Sequence, residues 1–402
     1  MTLNFGIDLV SIPGPTILPD RVREALARPM PNIYDGPLLE TSARVLERLP
    51  SIARTAGHGF VVIGNGHAAW QMAIDNTMEP GDKVLVLESG IFATIWGHNV
   101  AAAGVEVEVL PGTMTGPVDT EALRVRLAQD VDGSIVAVLV AQTDTASSVH
   151  NDVAAIRTAM TDAGHSALLM VDGIASIGTE RFEMDEWGVD LAIGASQKGL
   201  MCPPGVAFVW ASERAIARYR SLSVDRPRNA YVDWAQRLEP EAIYQSYSGT
   251  PPVTHLRAID VALDLIDEEG GLDAVWERHR ILAGAVHAAV DAWSAPEGLS
   301  FNITSPEYRS NAVTTVRTGS IDSIELARVC EHEFGVTLGI GIAAARNRSF
   351  RIGHMGHLSP PMVLGTLGAI EAALVRLDAP ISQSGAAAAA RFIGEQTAGD
   401  IH

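Results

Sequence analysis

Two ionisable residues follow short apolar segments, where a parallel sheet would bring them together. Asp172 comes directly after the segment 168–171, and Lys198 follows the segment 191–193 through residues 194–197. Ligands of open α/β sheets bind at the carboxyl ends of the strands. A carboxylate there can equally cap a turn, and the lysine can be an exposed loop residue. The pair is a candidate site only if other residues complete its chemistry.

A glycine-rich turn separates the apolar segment 60–63 from a helical pattern. The turn residues are Gly64, Asn65, Gly66 and His67. Free N–H groups at a helix start can bind a phosphate, and glycine lets the ligand approach the backbone. The spacing Gly64, Gly66, Ala69, with Glu88 after the next strand, also fits a dinucleotide-binding fingerprint. Phosphate binding, dinucleotide binding and a purely structural turn all remain open here.

Arg351 is a cation inside an apolar, glycine-bordered segment, SFRIGHMGHL. Its planar guanidinium suits a carboxylate ligand, although a structural ion pair is the alternative. His354 and His357 share this segment with HxxH spacing. Because no third ligand accompanies them, the spacing favours polar packing, and we predict no metal site.

Taken together, a phosphate turn, a carboxylate and a strand-end lysine are the groups that pyridoxal 5'-phosphate requires. The Lys198 amine would form a Schiff base with the cofactor aldehyde, and Asp172 would keep the ring nitrogen protonated. Once displaced by a substrate amine, Lys198 could move the proton from the substrate Cα. A nicotinamide-dependent dehydrogenase would leave both residues unexplained.

The elements that must position these residues alternate between short apolar segments and helical patterns, which is typical of a parallel α/β domain. The predicted strands are 60–63, 84–87, 105–110, 135–140, 168–171, 191–193 and 206–210. The predicted helices are 67–78, 96–103, 120–129 and 152–163, with Thr120 and Asp152 as N-terminal caps.

Beyond residue 210 the pattern changes, and we expect irregular structure over 218–237. Further on we predict a loop over 296–306 and a strand over 311–316. The predicted helices are 254–265, 272–293, 323–333, 362–377 and, on the surface, the alanine run 386–390. The predicted organisation is an N-terminal arm (1–16), a large cofactor-binding domain (17–269), a small C-terminal domain (270–385) and a tail (386–402).

The 402-residue composition narrows the classes of partner. With 29 basic and 48 acidic residues the formal charge is −19, which disfavours nucleic acid and anionic membrane surfaces. Cys202 and Cys330 are too few for a disulfide framework, and no targeting or membrane-spanning segment is apparent. We expect a cytoplasmic protein.

Four motifs resemble the class V aminotransferases, the group of serine-, alanine- and aspartate–glyoxylate and pyridoxamine–pyruvate aminotransferases. They are PGPT at 13–16, VDGIASIG at 171–178, GASQKGLMCPPG at 194–205 and RIGHMG at 351–356. The resemblance implies an aspartate-aminotransferase-like fold of type I, in which a large, mainly parallel sheet has helices on both faces and a smaller α/β domain follows. It also implies a homodimer at least, with shared active sites.

The resemblance also implies residue roles. Lys198 corresponds to the Schiff-base lysine, Asp172 to the ring-nitrogen partner, and Arg351 to the group that binds the substrate α-carboxylate. Gln197 matches a phosphate ligand, as do Asn65, Gly66 and His67 of the turn. Phe92 matches the stacking aromatic residue and Thr145 a hydroxyl near the ring oxygen. Tyr247 and Thr250 match residues that reach the phosphate of the neighbouring subunit, and Tyr34 is placed at the substrate.

The departures from the family pattern concern the substrate. Asp144 and Ser148 stand where glyoxylate enzymes commonly show Glu and Gly, and residues 32–37 lack the acidic-histidine-arginine string of serine–glyoxylate enzymes. Tyr34-Asp35, Asp144-Thr145 and RIGHMG resemble pyridoxamine–pyruvate aminotransferase, whereas KGLM, DEW and VDGIASIG resemble the serine–glyoxylate enzymes. The donor is therefore open among serine, aspartate and alanine.

The leading hypothesis is transfer of an amino group from a small L-amino acid to glyoxylate, with selection by a tight pocket. Pyridoxamine–pyruvate transamination is an alternative. Three further alternatives are less favoured: a pyridoxal-phosphate lyase or desulfurase, a nicotinamide-dependent dehydrogenase, and a non-catalytic protein on the same scaffold. A desulfurase would need a cysteine on a mobile loop.

Overall fold

The computed structural model describes residues 6–226 and 229–397. The first five residues of the predicted arm and the last five of the predicted tail lie outside this part. In chain order the described strands are β1 (Leu9–Ser11), β2 (His58–Gly64), β3 (Lys83–Leu87), β4 (Glu106–Leu110), β5 (Ile135–Ala141), β6 (Leu168–Asp172), β7 (Leu191–Ala195), β8 (Gly205–Ala211), β9 (Ser300–Phe301), β10 (Val313–Arg317), β11 (Val336–Ile340) and β12 (Ser349–Gly353).

The α-helices accompany these strands, with short 3₁₀ turns at Ile243–Tyr247, Pro306–Tyr308 and Ala343–Ala345. They are α1 (Asp20–Leu26), α2 (Pro37–Ile52), α3 (Gly66–Thr77), α4 (Phe92–Ala102), α5 (Thr120–Ala128), α6 (Val153–Asp162), α7 (Glu213–Ser221), α8 (Ala235–Leu238), α9 (Val253–Glu269), α10 (Leu272–Trp293), α11 (Ser323–Phe334), α12 (Pro360–Arg376) and α13 (Gly385–Gln396). None of these helices is both long and apolar enough to cross a membrane.

The large sheet has the strand order β2-β8-β7-β6-β5-β3-β4. β8 runs antiparallel to both of its neighbours, and the other pairs in the sheet are parallel. The segment between β7 and β8 is too short for a parallel crossover, which needs a dozen or more residues. The parallel α/β prediction therefore holds for every strand of this sheet except β8. β5, β6 and β7 end at one edge, and their following residues meet there.

The second sheet has the order β1-β11-β12-β10-β9. β1 belongs to the predicted N-terminal arm, but it pairs in parallel with β11 at the edge of this sheet. The arm is thus held by the second half of the chain, and the residues after β1 pass directly over the edge of the large sheet. The two-residue strand β9 lies inside the segment 296–306 that we predicted as a loop.

Helix α10 connects the two cores. Val275 and Trp276 near its start pack with the large-sheet core, whereas the side chains from Leu282 to Trp293 pack with the second sheet. Gly270 and Gly271, with φ of 113° and 85°, separate α10 from α9. The domain boundary at 269/270 stays a prediction, since the division between the cores falls inside this helix.

Local signals explain the starts of several helices. Asp152 caps α6 as predicted, because its side chain accepts the Ala155 N–H at 2.9 Å. Thr120 was the wrong cap for α5, where Asp119 accepts the Ala122 N–H at 2.9 Å. The alanine run lies in α13, and its Ala389 is buried against α10.

Helix α7 lies partly within the segment 218–237 that we predicted as irregular. Its arginines hid the apolar periodicity, because Ile216 and Tyr219 are its only large buried side chains. Arg214 pairs with Asp190 at 2.9 Å, so the charged face of the helix is neutralised against the large sheet.

Candidate active site

A cavity of about 220 Å³ opens where β5, β6 and β7 end. Twelve residues line this cavity. Eight of them were predicted from the sequence as site residues, and four were not. The predicted residues are Asn65, Gly66, His67, Phe92, Thr145, Asp172, Gln197 and Lys198. The additional ones are Trp70, Thr143, Ile174 and Ala175. The residues that were separate in the sequence therefore surround one space.

Lys198 lies in the turn that follows β7, and its amine faces the cavity. Burial lowers the pKa of Lys198 to about 8, Arg351 adds to that fall, and Asp172 opposes it. The Nζ donates a hydrogen bond to the Pro13 carbonyl, and Thr16 Oγ1 donates to the Lys198 carbonyl at 3.1 Å. The N-terminal arm thus packs on the lysine, which a solvent-exposed loop lysine would not show.

Gly14 allows the arm to approach this closely. A Cβ at Gly14 would lie 2.6 Å from Lys198 Cδ, and its φ of 85° is in the left-handed region that favours glycine. The chain contains only one other lysine, Lys83, which pairs with Glu106 and Glu108 at 3.1 and 3.0 Å. Lys83 is therefore engaged elsewhere, and Lys198 is the lysine available to this cavity.

Asp172, the last residue of β6, is 5% exposed. Its Oδ1 accepts the Ile174 N–H at 2.8 Å, and its Oδ2 accepts the indole N–H of Trp70 at 3.0 Å. Burial raises the pKa of Asp172 to about 6, although both hydrogen bonds favour the charged form. A turn-capping role accounts for only one of its oxygens, and the other is fixed by Trp70 toward the cavity.

Trp70 was missed in the sequence although it is three residues from His67, a spacing that places both on one face of α3. Their ring centroids are 4.3 Å apart. The three-residue spacing indicates that Trp70 lies on the same helix face as His67. The sequence pattern does not distinguish a tryptophan that positions a carboxylate from one that only packs in the core. Trp70 is 1% exposed and also stacks on Trp96 at 6.1 Å between centroids.

The glycine turn forms the start of α3. Asn65 caps the helix by accepting the His67 N–H at 3.1 Å. A Cβ on Gly66 would lie 2.4 Å from Ile174 Cδ1, so a larger residue here would have to displace the end of the Ile174 side chain. The Gln197 side-chain oxygen is buried nearby without a hydrogen-bond partner among the described residues. This end of the cavity offers helix N–H groups and an unsatisfied amide to a polar ligand.

Asp144, which the sequence flagged as a departure, organises the opposite wall. It is fully buried and accepts the Phe92 N–H at 2.8 Å and the Ala146 N–H at 2.8 Å. A Cβ on Gly90 would lie 1.9 Å from the Asp144 carboxyl carbon. Both carboxylate oxygens are thus used by backbone groups, and they hold Phe92 and the turn that follows Thr145.

Arg351 lies on β12 at the side of the second sheet that faces the cavity. Its Nε donates to the Ile340 carbonyl at 2.8 Å, and one terminal nitrogen donates to the Thr145 carbonyl at 2.9 Å. Burial lowers the pKa of Arg351 to about 10, and Asp144 opposes the fall. Within residues 6–226 and 229–397 no carboxylate lies within ion-pair distance, so the alternative of a structural ion pair does not apply.

Four predicted residues do not line the cavity: Arg351, which reaches it only through the Thr145 carbonyl, and Tyr34, Tyr247 and Thr250. Tyr34 is 84% exposed, and Thr250 is also exposed. Tyr247 is 1% exposed, and its hydroxyl lies 2.6 Å from that of Ser42. The Tyr247 hydroxyl is therefore engaged within its own chain, whereas Tyr34 and Thr250 are exposed and could contact another subunit.

The alternative chemistries find little support in the described residues. His354 bonds to Thr314 and to the Asn311 carbonyl, both at 2.9 Å, and no cluster of three metal-ligating groups occurs there. Glu88 does not line the cavity. Cys202 and Cys330 are buried, and burial raises the pKa of both thiols, that of Cys330 to about 12. Neither cysteine resembles the mobile nucleophile of a desulfurase.

Comparison with known proteins agrees with this geometry. The family described as aminotransferase class-V matches residues 56–358. A serine–glyoxylate aminotransferase from Hyphomicrobium methylovorum is 35% identical, over 90% of this chain and 88% of its own. An L-aspartate–glyoxylate aminotransferase from Paracoccus denitrificans is 34% identical, over 96% of each chain.

Among solved structures, the pyridoxamine–pyruvate aminotransferase from Mesorhizobium loti superposes with a TM-score of 0.88. It is 26% identical, over 98% of this chain and all of its own. This match also supports the predicted fold of a mainly parallel large sheet with a smaller α/β part. The chain therefore belongs to the class-V aminotransferase family and is an aminotransferase.

Proposed function

We propose that this aminotransferase uses pyridoxal 5'-phosphate to move an amino group from a small L-amino acid to glyoxylate. One observation carries the proposal: Asp172 and Lys198 line one cavity, and Arg351 lies beside it, bonded to the carbonyl of the lining residue Thr145 and close enough to lower the pKa of Lys198. They supply a carboxylate for a ring nitrogen, an amine for a covalent bond, and a guanidinium for a substrate carboxylate. The names of the relatives at 34–35% identity support glyoxylate as the acceptor.

The residues present fit this cofactor. The N–H groups at the start of α3 suit the phosphate end, and the side-chain NH2 of Gln197, which lines the same cavity, is a further donor. Phe92 lines the cavity where an aromatic ring would stack, and Asp172 is held at its base. The volume of about 220 Å³ leaves room for a ligand of this size. We assign cofactor binding to these residues together with Asn65, Gly66, His67 and Thr145.

When bound, pyridoxal 5'-phosphate supplies an aldehyde carbon that bonds to amines and a ring that accepts electron density from the substrate. Lys198 supplies the attaching amine through Nζ. After displacement by substrate, the same Nζ takes the Cα proton, and the lowered pKa of about 8 leaves part of it neutral near pH 7. Asp172 stabilises positive charge at the ring nitrogen, and Trp70 holds its carboxylate in place.

Arg351 binds the substrate α-carboxylate. Two of its N–H groups are already fixed by the Ile340 and Thr145 carbonyls, so the guanidinium plane is oriented before substrate arrives. Its remaining donors are available for a bidentate carboxylate contact. This pre-organisation places the Cα of a small amino acid between Arg351 and Lys198.

Pyridoxamine–pyruvate transamination is the second candidate, favoured by the structural match at a TM-score of 0.88. Tyr34 and Asp144 resemble that enzyme, and Asp144 accepts the N–H groups of Phe92 and of Ala146, the residue after Thr145. The two candidates differ in what the protein accepts as amino donor, because the second takes pyridoxamine itself.

The active unit is proposed to be a homodimer in the cytoplasm. Tyr34 and Thr250 are exposed on their own chain, which suits residues that complete the site of a second copy. Tyr247 would join them only if its hydroxyl, which is buried and bonded to Ser42 on its own chain, can be reached from the second copy. The variant Tyr247→Phe tests the proposed phosphate-binding role of Tyr247. Weaker cofactor binding would support this role, whereas unchanged cofactor binding would show that the hydroxyl serves only the contact with Ser42.

A single-turnover screen tests the reaction. The purified enzyme is mixed with each small L-amino acid or with pyridoxamine, and the absorbance of the bound cofactor is followed. Glyoxylate, pyruvate and other 2-oxo acids are then added to see which restores the starting spectrum. The proposal predicts restoration by glyoxylate, and a response to pyridoxamine alone would favour the second candidate instead.

A further inference from the structure

A second, larger cavity lies beside the first. Its volume is about 760 Å³, and it is formed between the large sheet and the second sheet. Ile91 and Ala146 line it, whereas their chain neighbours Phe92 and Thr145 line the first cavity. Because consecutive residues face the two spaces, the cavities adjoin at this wall. A tight pocket, as expected from the sequence, is therefore not what the single chain offers on this side.

Two arginines, Arg317 on β10 and Arg348 before β12, line the larger cavity. Thr315 is directly opposite Arg351, and Arg317 is directly opposite Ser349. Alternate residues of a strand share a face, so Arg317 and Arg351 lie on the same face, about 7–8 Å apart between Cα atoms. Thr315 Oγ1 donates to the Ala146 carbonyl at 3.1 Å, so this face points at the large domain.

Neither Arg317 nor Arg348 has an ion pair or a side-chain hydrogen bond within the described ranges. No aspartate or glutamate from those ranges lines the larger cavity. Both residues are exposed at this cavity, whereas arginines such as Arg157, Arg218 and Arg278 are paired with carboxylates of the chain. Two unpaired guanidinium groups beside Arg351 form an electropositive space that a second carboxylate would neutralise.

We infer that the amino donor is a dicarboxylic amino acid of four or five carbons, whose distal carboxylate is bound by Arg317 and Arg348. The inference rests on the proposed function and specifies its substrate class. Arg351 binds the α-carboxylate, and the two further arginines bind the second carboxylate in the adjoining cavity. Selection then comes from charge rather than from exclusion of bulk, since the larger cavity has room to spare.

The test compares L-aspartate and L-glutamate with L-alanine and L-serine in the amino-donor half-reaction. The wild type is expected to prefer the dicarboxylic donors in kcat/KM. In the double variant Arg317→Gln, Arg348→Gln the ratio of kcat/KM for L-aspartate to that for L-alanine should fall about 10- to 100-fold, as expected for lost charge-assisted hydrogen bonds. Binding of succinate to the holoenzyme, measured by calorimetry, should weaken by about tenfold or more.

Arg346→Gln is the matched control, because Arg346 is exposed on the same loop and does not line the cavity. It should leave the donor ratio and succinate binding as in the wild type. A wild-type preference for L-alanine or L-serine, or a ratio that the double variant does not change, overturns this inference while transamination stands. If no amino acid changes the cofactor spectrum, the proposed function fails as well.

Discussion

Burial of the Asp172 carboxylate is expected to lower the free energy of unfolding while it provides the charged group that the cofactor chemistry needs. Its pKa rises from 3.8 to about 6 on burial in the chain without cofactor. Because the folded-state pKa exceeds the unfolded value, the unfavourable contribution of the carboxylate appears as the pH rises above about 4 and is complete above 6. The difference of about two pKa units corresponds to ~3 kcal/mol at pH 8 and about half of that at pH 5.

Asp172→Asn removes this ionisation. The amide has only one oxygen for the two donors Ile174 N–H and Trp70 Nε1–H, which lowers the free energy of unfolding by about 1–3 kcal/mol at any pH. That loss cancels when two pH values are compared. The variant should therefore gain about 1–2 kcal/mol relative to the wild type between pH 5 and pH 8.

Urea unfolding of both cofactor-free proteins at the two pH values measures this difference. The same variant should have lost most of its transaminase activity, since the ring-nitrogen partner is gone. An equal effect of the substitution on unfolding at pH 5 and pH 8 would refute the argument that Asp172 is buried as a charge. Full activity of the variant would refute its assignment to the cofactor.

The other predictions concern the remaining groups of the site. Cofactor-free protein should take up added pyridoxal 5'-phosphate at a rate that rises with pH and levels off above about 8, as Lys198 loses its proton; a rate that falls over this range would contradict it. Arg351→Lys should raise KM for the donor about 10- to 100-fold in steady-state assays, because the ammonium cannot replace a bidentate fork. Gly14→Ala should lower kcat, since the new Cβ would lie 2.6 Å from Lys198 Cδ. Gly81→Ala, at φ 96° with no atom within 4 Å of its Cβ, isolates the backbone strain and should leave kcat near the wild-type value.

Local patterns were enough to predict most of the large sheet. Its strands are short apolar segments, so hydrophobic runs located them to within a few residues. The orientation of β8 depended on the length of one connection, and helix α7 was hidden because its arginines pair with acidic residues distant in sequence. Such long-range pairing leaves no periodic trace.

The residues of the candidate site also fall into those that local sequence patterns predict and those that they do not. Asp172 and Lys198 could be found because one ends a strand and the other closely follows one, where chain direction alone fixes the location. Trp70 and the hydrogen bonds of Asp144 could not, since they depend on contacts between separate elements. The internal contact between Tyr247 and Ser42 is equally nonlocal. The cavity beside Arg351 arises only when the second sheet packs against the first.

The central claim is that Lys198 carries the cofactor, and one measurement tests it directly. The chain has two lysines, so sodium borohydride reduction of the purified enzyme, followed by digestion and mass spectrometry, has two possible lysine targets. The account predicts the added mass of the cofactor on the peptide that contains Lys198. Attachment at Lys83, or a reduced protein with no added mass on either lysine, would contradict it.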